Sequence, residues 1–424
     1  MHTSARTSRW LMAVGAALVA AYLVTWAQLG HSSISRSDFT AFYTAGLLLR
    51  EGHPATAYDV RAEAAVRDRL IAPVHDGNIP FDNAPPAAAL IAPVTLVPLD
   101  AAYRVWTLAM LAVLVAAIVI ALRAAPWPEA MTSSSRAATG VIALAGAGTW
   151  LMFIQGQWGA VTALGLAIAY RDWRRGHRLR GGLVLALAAG IAKPHLALGI
   201  AAFAVGWRQR RVLVGGAMGV LVLAACSLVL VGPGGVAAWV SNAVTQSALW
   251  DLRPMVSVIG IFGSWLGQTA SAHALGVAGT AGACALAWRA GVLVRRKPAG
   301  FDIALCAAVL LSLVGAPHAY GQDLAVLAPA MVIAAAWAAA GLAREGAARR
   351  GVAAVFGMWA LISIGAFIDV LDGSSLPTGP LAAWALVAAT AAAWFAMRST
   401  VRDTHPVSSL TAPPASALST SAIR

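Results

Sequence analysis

Between Trp10 and Leu29 the chain runs 20 residues without a charge. About 20 apolar residues are what a helix needs to cross the hydrocarbon layer of a bilayer. Runs of this kind recur to Met397, separated by short basic breaks. In lipid every backbone N–H and C=O must be paired within the protein, so only helices or closed barrels cross. Barrel strands alternate in hydrophobicity, and these runs do not. With 59% hydrophobic and 11% charged residues, the chain reads as an all-α polytopic membrane protein. The first run exceeds the ~7–15 apolar residues of a signal peptide and reads as an uncleaved anchor.

The net charge of +13 could suggest nucleic acid, but its placement argues against that partner. Basic residues cluster at Arg171 to Arg180, Arg208 to Arg211, Arg295 to Lys297 and Arg344 to Arg350. Those breaks fit cytoplasmic loops under the positive-inside rule. Cys226, Cys284 and Cys306 lie in apolar runs without paired spacing, so no disulfide framework or metal cluster is implied.

The resulting organisation has a cytoplasmic N-terminus at 1–9, a membrane domain at 10–397 and a disordered cytoplasmic tail at 398–424. Residues 31–84 form a first outer loop with Asp76 among its acids, and Ala62 to Leu70 a short surface helix. Pro85 to Pro98 is only 14 residues, short enough to be re-entrant or interfacial, and whether it crosses is left open, as it is for Met255 to Leu266. Gly181 to Trp207 lies between two basic breaks and is too short for two full spans. It reads as a broken hairpin with Lys193-Pro194-His195 at its tip. Such backbone is tolerated only when buried in protein or lining a cavity. Gly232 to Pro254 reads as a second outer loop, Pro317 to Asp323 as a third, and Leu324–Ala343, Val352–Ile368 and Leu381–Met397 as the last spans.

Eight of the 30 Lys and Arg residues fall outside or near the outer face: Arg36, Arg50, Arg61, Arg67, Arg69, Arg104, Lys193 and Arg253. Arg50, Arg61, Arg67 and Arg69 read as solvated or headgroup-facing. The tryptophans read as an interfacial belt. Other polar residues gather on the same side: Asp38, Asp82, Asn83, Gln155, Gln157, His195, Asp251, His318, Gln322 and Asp323. The chain carries no P-loop, HExxH or Asp-x-Asp motif.

One carboxylate among cations and amides suits sugar transfer from a lipid phosphate to a hydroxyl. The acceptor must lose a proton, which a carboxylate of raised pKa takes. The phosphate leaving group needs charge stabilisation, which Lys, Arg and His supply. A glycosidase would need two carboxylates at defined separation. Asp38 is the candidate base, although Asp38 also stands where it could cap the following helix. Lys193, His195, His318, Gln157, Arg253, Asp82 and Gln322 are candidate substrate-binding residues. Nothing calls for a metal or other cofactor.

Ser37-Asp38-Phe39 with Gly52, Ala57-Tyr58-Asp59, Pro85-Pro86 leading to Leu96-Val97-Pro98, Gly156-Gln157, Lys193-Pro194, and Pro317-His318 with Asp323 together resemble glycosyltransferase family 87, over roughly residues 20–345. The family commonly has an aromatic before the Pro-Pro pair, where Ala84 stands here. The resemblance implies a GT-C-like bundle of roughly 10–13 transmembrane helices with outer-face loops and short re-entrant segments. It implies a multi-pass protein of the bacterial inner membrane with its site facing the periplasm. The donor would be a polyprenyl-phosphate sugar, as in bacterial mannosyl- and arabinofuranosyltransferases, and the acceptor a glycan or glycolipid. By resemblance Asp38 aligns with the catalytic base, Lys193 and His318 with donor-phosphate contacts, and transfer inverts the anomeric carbon. Two other readings remain: a transporter or flippase of lipid-linked sugars, and a non-catalytic membrane subunit. Transporters often show repeated halves and midplane charges, and neither is visible here.

Overall fold

The computed structural model describes residues 5–74, 79–247, 250–340, 345–373 and 376–402. Asp76, Arg344 and the tail from 403 onward lie outside the described residues. Every regular element among those described is helical. Seven helices are long and apolar enough to cross a membrane. Ser133–Leu144 and Ala147–Gln155, bent by 50°, pass that test together as one broken span. Three shorter apolar helices are Pro85–Leu96, Pro194–Trp207 and Pro298–Val314; by length and composition the described residues thus give seven or eight spans, fewer than the roughly 10–13 expected.

Helix breaks follow local chemistry. At the expected hairpin tip, Arg178–Ala192 ends at Lys193 in extended backbone, Pro194 opens a 3-10 turn, and Leu198–Trp207 continues. Proline favours that position because the first turn leaves its N–H unpaired anyway. Pro85–Leu96, at 1.5 Å per residue, reaches only ~18 Å, well short of the ~30 Å hydrocarbon core. It packs on Phe39–Arg50, where Gly46 admits the backbone of Ile91 and Ala92.

The second outer loop differs from expectation. Helix runs from Arg210 to Ser247, interrupted only at Gly232 (φ 68°). Gly232-Pro233 signals a stop, yet Pro233 also suits the first turn of a new helix, so the chain bends and restarts. The last span, Leu381–Arg398, lies where expected, and its helix continues to Arg402.

The first outer loop is built into the body. Asp59 caps Val60–Ile71 by accepting from the Arg61 and Ala62 amides. That helix buries Glu63, Val66, Arg67 and Ile71. Arg67 is 2% exposed, so the headgroup-facing reading of Arg67 is corrected: residues 63, 66, 67 and 71 share one helical face, and that face is turned inward. Tyr58 donates to the Asn83 carbonyl at 2.7 Å, and Asn242 donates to the Tyr58 carbonyl. Arg50 donates to the Thr95 carbonyl, and Arg104 to the carbonyls of Trp26 and Leu29 while lying 4.5 Å from the Trp26 ring. These two arginines donate to carbonyls at or just past helix ends, where intrahelical partners run out. The tryptophans divide. Trp10, Trp265 and Trp384 are exposed, whereas Trp106 and Trp158 pack edge to face in the core at 4.6 Å.

Candidate active site

Asp38 precedes the Phe39–Arg50 helix, but its carboxylate makes no capping bond. Its backbone (φ −60°, ψ −22°) is already helical, unlike the extended conformation of a capping residue. The carboxylate instead receives the side-chain amides of two distant residues. Gln157 Nε2 donates to Asp38 Oδ2, and Gln322 Nε2 donates to the same oxygen at 3.4 Å. The Asp38 amide donates to Gln155 Oε1 at 3.2 Å.

Two glycines create these approaches. Gly156 takes φ 68°, and a Cβ there would lie 2.8 Å from Phe39 Cβ. A left-handed residue is the usual end of a helix. Here it turns Gln155 and Gln157 together toward Asp38. The buried rings of Phe39, Tyr103 and Trp106 form the floor. Tyr103 donates to the Ile154 carbonyl and Trp106 to the Gly156 carbonyl, each at 2.7 Å. Gly148 lies against Leu324 and Ala325 so closely that a Cβ would be 2.5 Å from backbone atoms. That contact brings the 3-10 turn Gly321–Val326, with Gln322 and Asp323, to the same helix.

Lys193 stands at the centre. Its Nζ donates to Asp323 Oδ1 at 2.8 Å, and Asp323 Oδ2 accepts the Tyr320 amide at 3.0 Å. The lysine is 9% exposed and Asp323 0%. Asn83 joins two loops by donating to the carbonyls of Ile191 and Ala192, immediately before Lys193. Asp82 is thereby set near the lysine, and Trp239 holds the Asp82 carbonyl at 3.0 Å. The rings of His195 and His318 lie 5.7 Å apart, edge to face. His318 also packs on Trp250 and Tyr320.

Burial dominates the electrostatics. It raises the Asp38 carboxyl above the ordinary carboxylate value, against the Gln157 hydrogen bond and the Lys193 and Arg67 charges, which lower it. Burial likewise raises Asp82 to about 7 and Glu63 to about 9. His318 falls well below the usual histidine value through burial beside Lys193 and His195. It can offer a hydrogen bond but not a standing charge.

Of the eight expected site residues, Asp38, Gln157, Gln322, Lys193, Asp82, His195 and His318 therefore converge. Arg253 stands apart. It pairs with Asp251 at 3.0 Å, and both side chains are exposed. Two neighbours were not expected. Arg67 is buried close enough to act on Asp38, and Glu63 close enough to act on Asp82 and Arg67. Their i, i+4 spacing puts both on the face shared with Ile71, but that spacing carries no sign of which way the face turns.

Beside this cluster an apolar groove of about 570 Å³ runs between Arg178–Ala192, Leu198–Trp207 and the long helix after Arg210. Leu185, Ala189, Val220 and Leu223 line its length, and Ala84, Pro194 and Trp239 also border it. Those last three adjoin Asn83, Lys193 and the Asp82 carbonyl, so the groove meets the polar cluster. Gly182 and Gly215 let the helix backbones touch beneath it.

No curated protein and no solved structure matches the chain. The model of glycosyltransferase family 87 matches residues 81–317. The matched stretch includes Asp82, Gln157, Lys193, His195 and Arg253, whereas Asp38, His318 and Gln322 fall beyond its ends. It spans more than half of a chain already seen to be a multi-pass helical bundle, and the chain thus belongs to glycosyltransferase family 87, as a membrane glycosyltransferase.

Proposed function

We propose that this glycosyltransferase moves a hexose or pentose from a polyprenyl-phosphate sugar to a hydroxyl of a cell-envelope glycan or glycolipid, with inversion, at the periplasmic face of a bacterial inner membrane. The observation that carries this reading is the junction of an apolar groove with a buried cation and a carboxylate of raised pKa. A prenyl chain fits the groove, and its phosphate then lies by Lys193, with His195 and His318 as hydrogen-bonding neighbours. Asp38 takes the proton of the acceptor hydroxyl. The freed oxygen bonds to the anomeric carbon from the face opposite the phosphate, and the carbon–oxygen bond to phosphate breaks. Its electron pair leaves on polyprenyl phosphate. Gln157 and Gln322 hold the Asp38 carboxylate in place, and Lys193 stabilises the departing charge.

The test is purified protein with radiolabelled polyprenyl-phosphate sugars and membrane-extract acceptors. Wild type should transfer label, and Asp38→Asn should lose ~10²–10⁴-fold while keeping its unfolding temperature within a few degrees. Label moved across vesicles without transfer, unaffected by Asp38→Asn, would replace the enzyme reading with the transporter one.

A further inference from the structure

Three buried polar atoms around Lys193 have no hydrogen-bond partner among the described residues: Asp82 Oδ1, Gln157 Oε1 and His195 Nε2. Buried polar groups are nearly always satisfied, so each such atom asks for an explanation. Their chemistry is not neutral as to ligand. Gln157 spends its Nε2 on Asp38, which orients the amide and leaves Oε1 a pure acceptor. Asp82 in its ionised form is acceptor-only. Its own loop is fixed from both sides, by Trp239 on its carbonyl and by Asn83 on the residues before Lys193. The backbone that carries the carboxylate is thereby held beside Lys193.

A phosphate offers only acceptors, which suit His195 Nε2 as a donor but neither Gln157 Oε1 nor ionised Asp82, and a prenyl chain offers nothing. A hydroxyl-bearing ring offers donors. We propose that Asp82, with Gln157 Oε1 beside Asp38, accepts hydrogen bonds from ring hydroxyls of the sugar being transferred, and that Asp82 is a specificity-determining residue. This rests on the polyprenyl-phosphate-sugar reading above. The assignment to the transferred sugar follows from position. Trp239, which holds the Asp82 carbonyl, also lines the apolar groove, and Asp82 lies close enough to Lys193 to feel its charge. The group next to the phosphate is the donor's own sugar.

The experiment compares thermal shifts of the full chain in detergent with a short-chain polyprenyl phosphate and with its mannosyl, arabinofuranosyl and glucosyl esters. For wild type, one sugar-bearing lipid should bind at least 10-fold more tightly than bare polyprenyl phosphate. In Asp82→Ala that advantage should vanish, and in Asp82→Asn, whose amide oxygen still accepts, only part of it should remain, while bare polyprenyl phosphate binds both variants at least as tightly as wild type and so reports an intact fold. Monodeoxy versions of the preferred donor should identify one hydroxyl whose removal costs wild type the same factor and costs Asp82→Ala nothing further. Variants that keep the full sugar advantage would overturn the proposal. So would a hydroxyl match found with deoxy acceptors instead of deoxy donors. Wild type that binds neither lipid would overturn the donor reading itself, a separate and recognisable failure.

Discussion

The Lys193–Asp323 pair should not be symmetric. Asp323 is 0% exposed, and its side chain is held by Lys193 and the Tyr320 amide. Replacing Lys193 with Met leaves that carboxylate buried against one neutral donor. Removing one partner of a buried pair costs ~3–5 kcal/mol. The reverse change, Asp323→Asn, leaves Lys193 facing Asp38 and Asp82, whose charges also act on it. The loss is then closer to one unsatisfied buried group, ~1–3 kcal/mol. At ~2 °C per kcal/mol, the lower end for long chains, Lys193→Met lowers the unfolding midpoint by ~6–10 °C and Asp323→Asn by ~2–6 °C. Tryptophan fluorescence during heating in one detergent, at one scan rate, gives the ranking even where unfolding is irreversible. The double variant Lys193→Met/Asp323→Leu should cost less than the two single changes added, because it removes both buried charges together. Equal losses from the two single variants would show that the other carboxylates do not share the lysine, and a strictly additive double variant would show that Lys193 and Asp323 are not coupled.

Other consequences can be checked separately. Because burial raises Asp38, a base must work on an acid limb of kcat/KM above the ordinary carboxylate range. Lys193 lowers that carboxyl, so the residual activity of Lys193→Met should have its acid limb moved to still higher pH. A limb that stays put would remove Asp38 as its source. Glu63 is protonated in the folded state up to about 9, far above its ordinary 4.5. The folded chain then binds more protons than the unfolded one between those values, so this group makes stability fall as pH rises. Glu63→Gln should flatten that decline, and a melting-temperature slope between pH 5 and 9 unchanged by the substitution would contradict it. Gly148→Ala places a methyl 2.5 Å from the Ala325 amide. Overpacking of this kind costs ~1–3 kcal/mol and shifts Gln322 from Asp38. Transfer should fall at least ~10-fold by the same positional argument, and an unimpaired variant would show that this contact does not set the site.

The broken hairpin at Lys193-Pro194-His195 was legible because Pro acts on neighbouring φ and ψ. The same punctuation misled at Gly232-Pro233, where it bends a helix without ending it. Arg67 shows the other difficulty. A charged residue in a polar loop reads as solvated, and its i, i+4 partner Glu63 does not reveal whether their common face is turned inward.

Sequence alone determined that the chain is a helical membrane bundle. Twenty-residue apolar runs have few alternatives in lipid, and basic breaks orient them. It also supplied the types of polar residue that topology left unexplained. Only the tertiary structure decided their company. Gln157 reaches Asp38 across 119 positions, and Lys193 reaches Asp323 across 130. Those pairings depend on helix backbones meeting at Gly148 and Gly156. They also depend on burial that leaves Asp82 and Gln157 with unmet acceptors, and burial is a property of the packed bundle rather than of any segment.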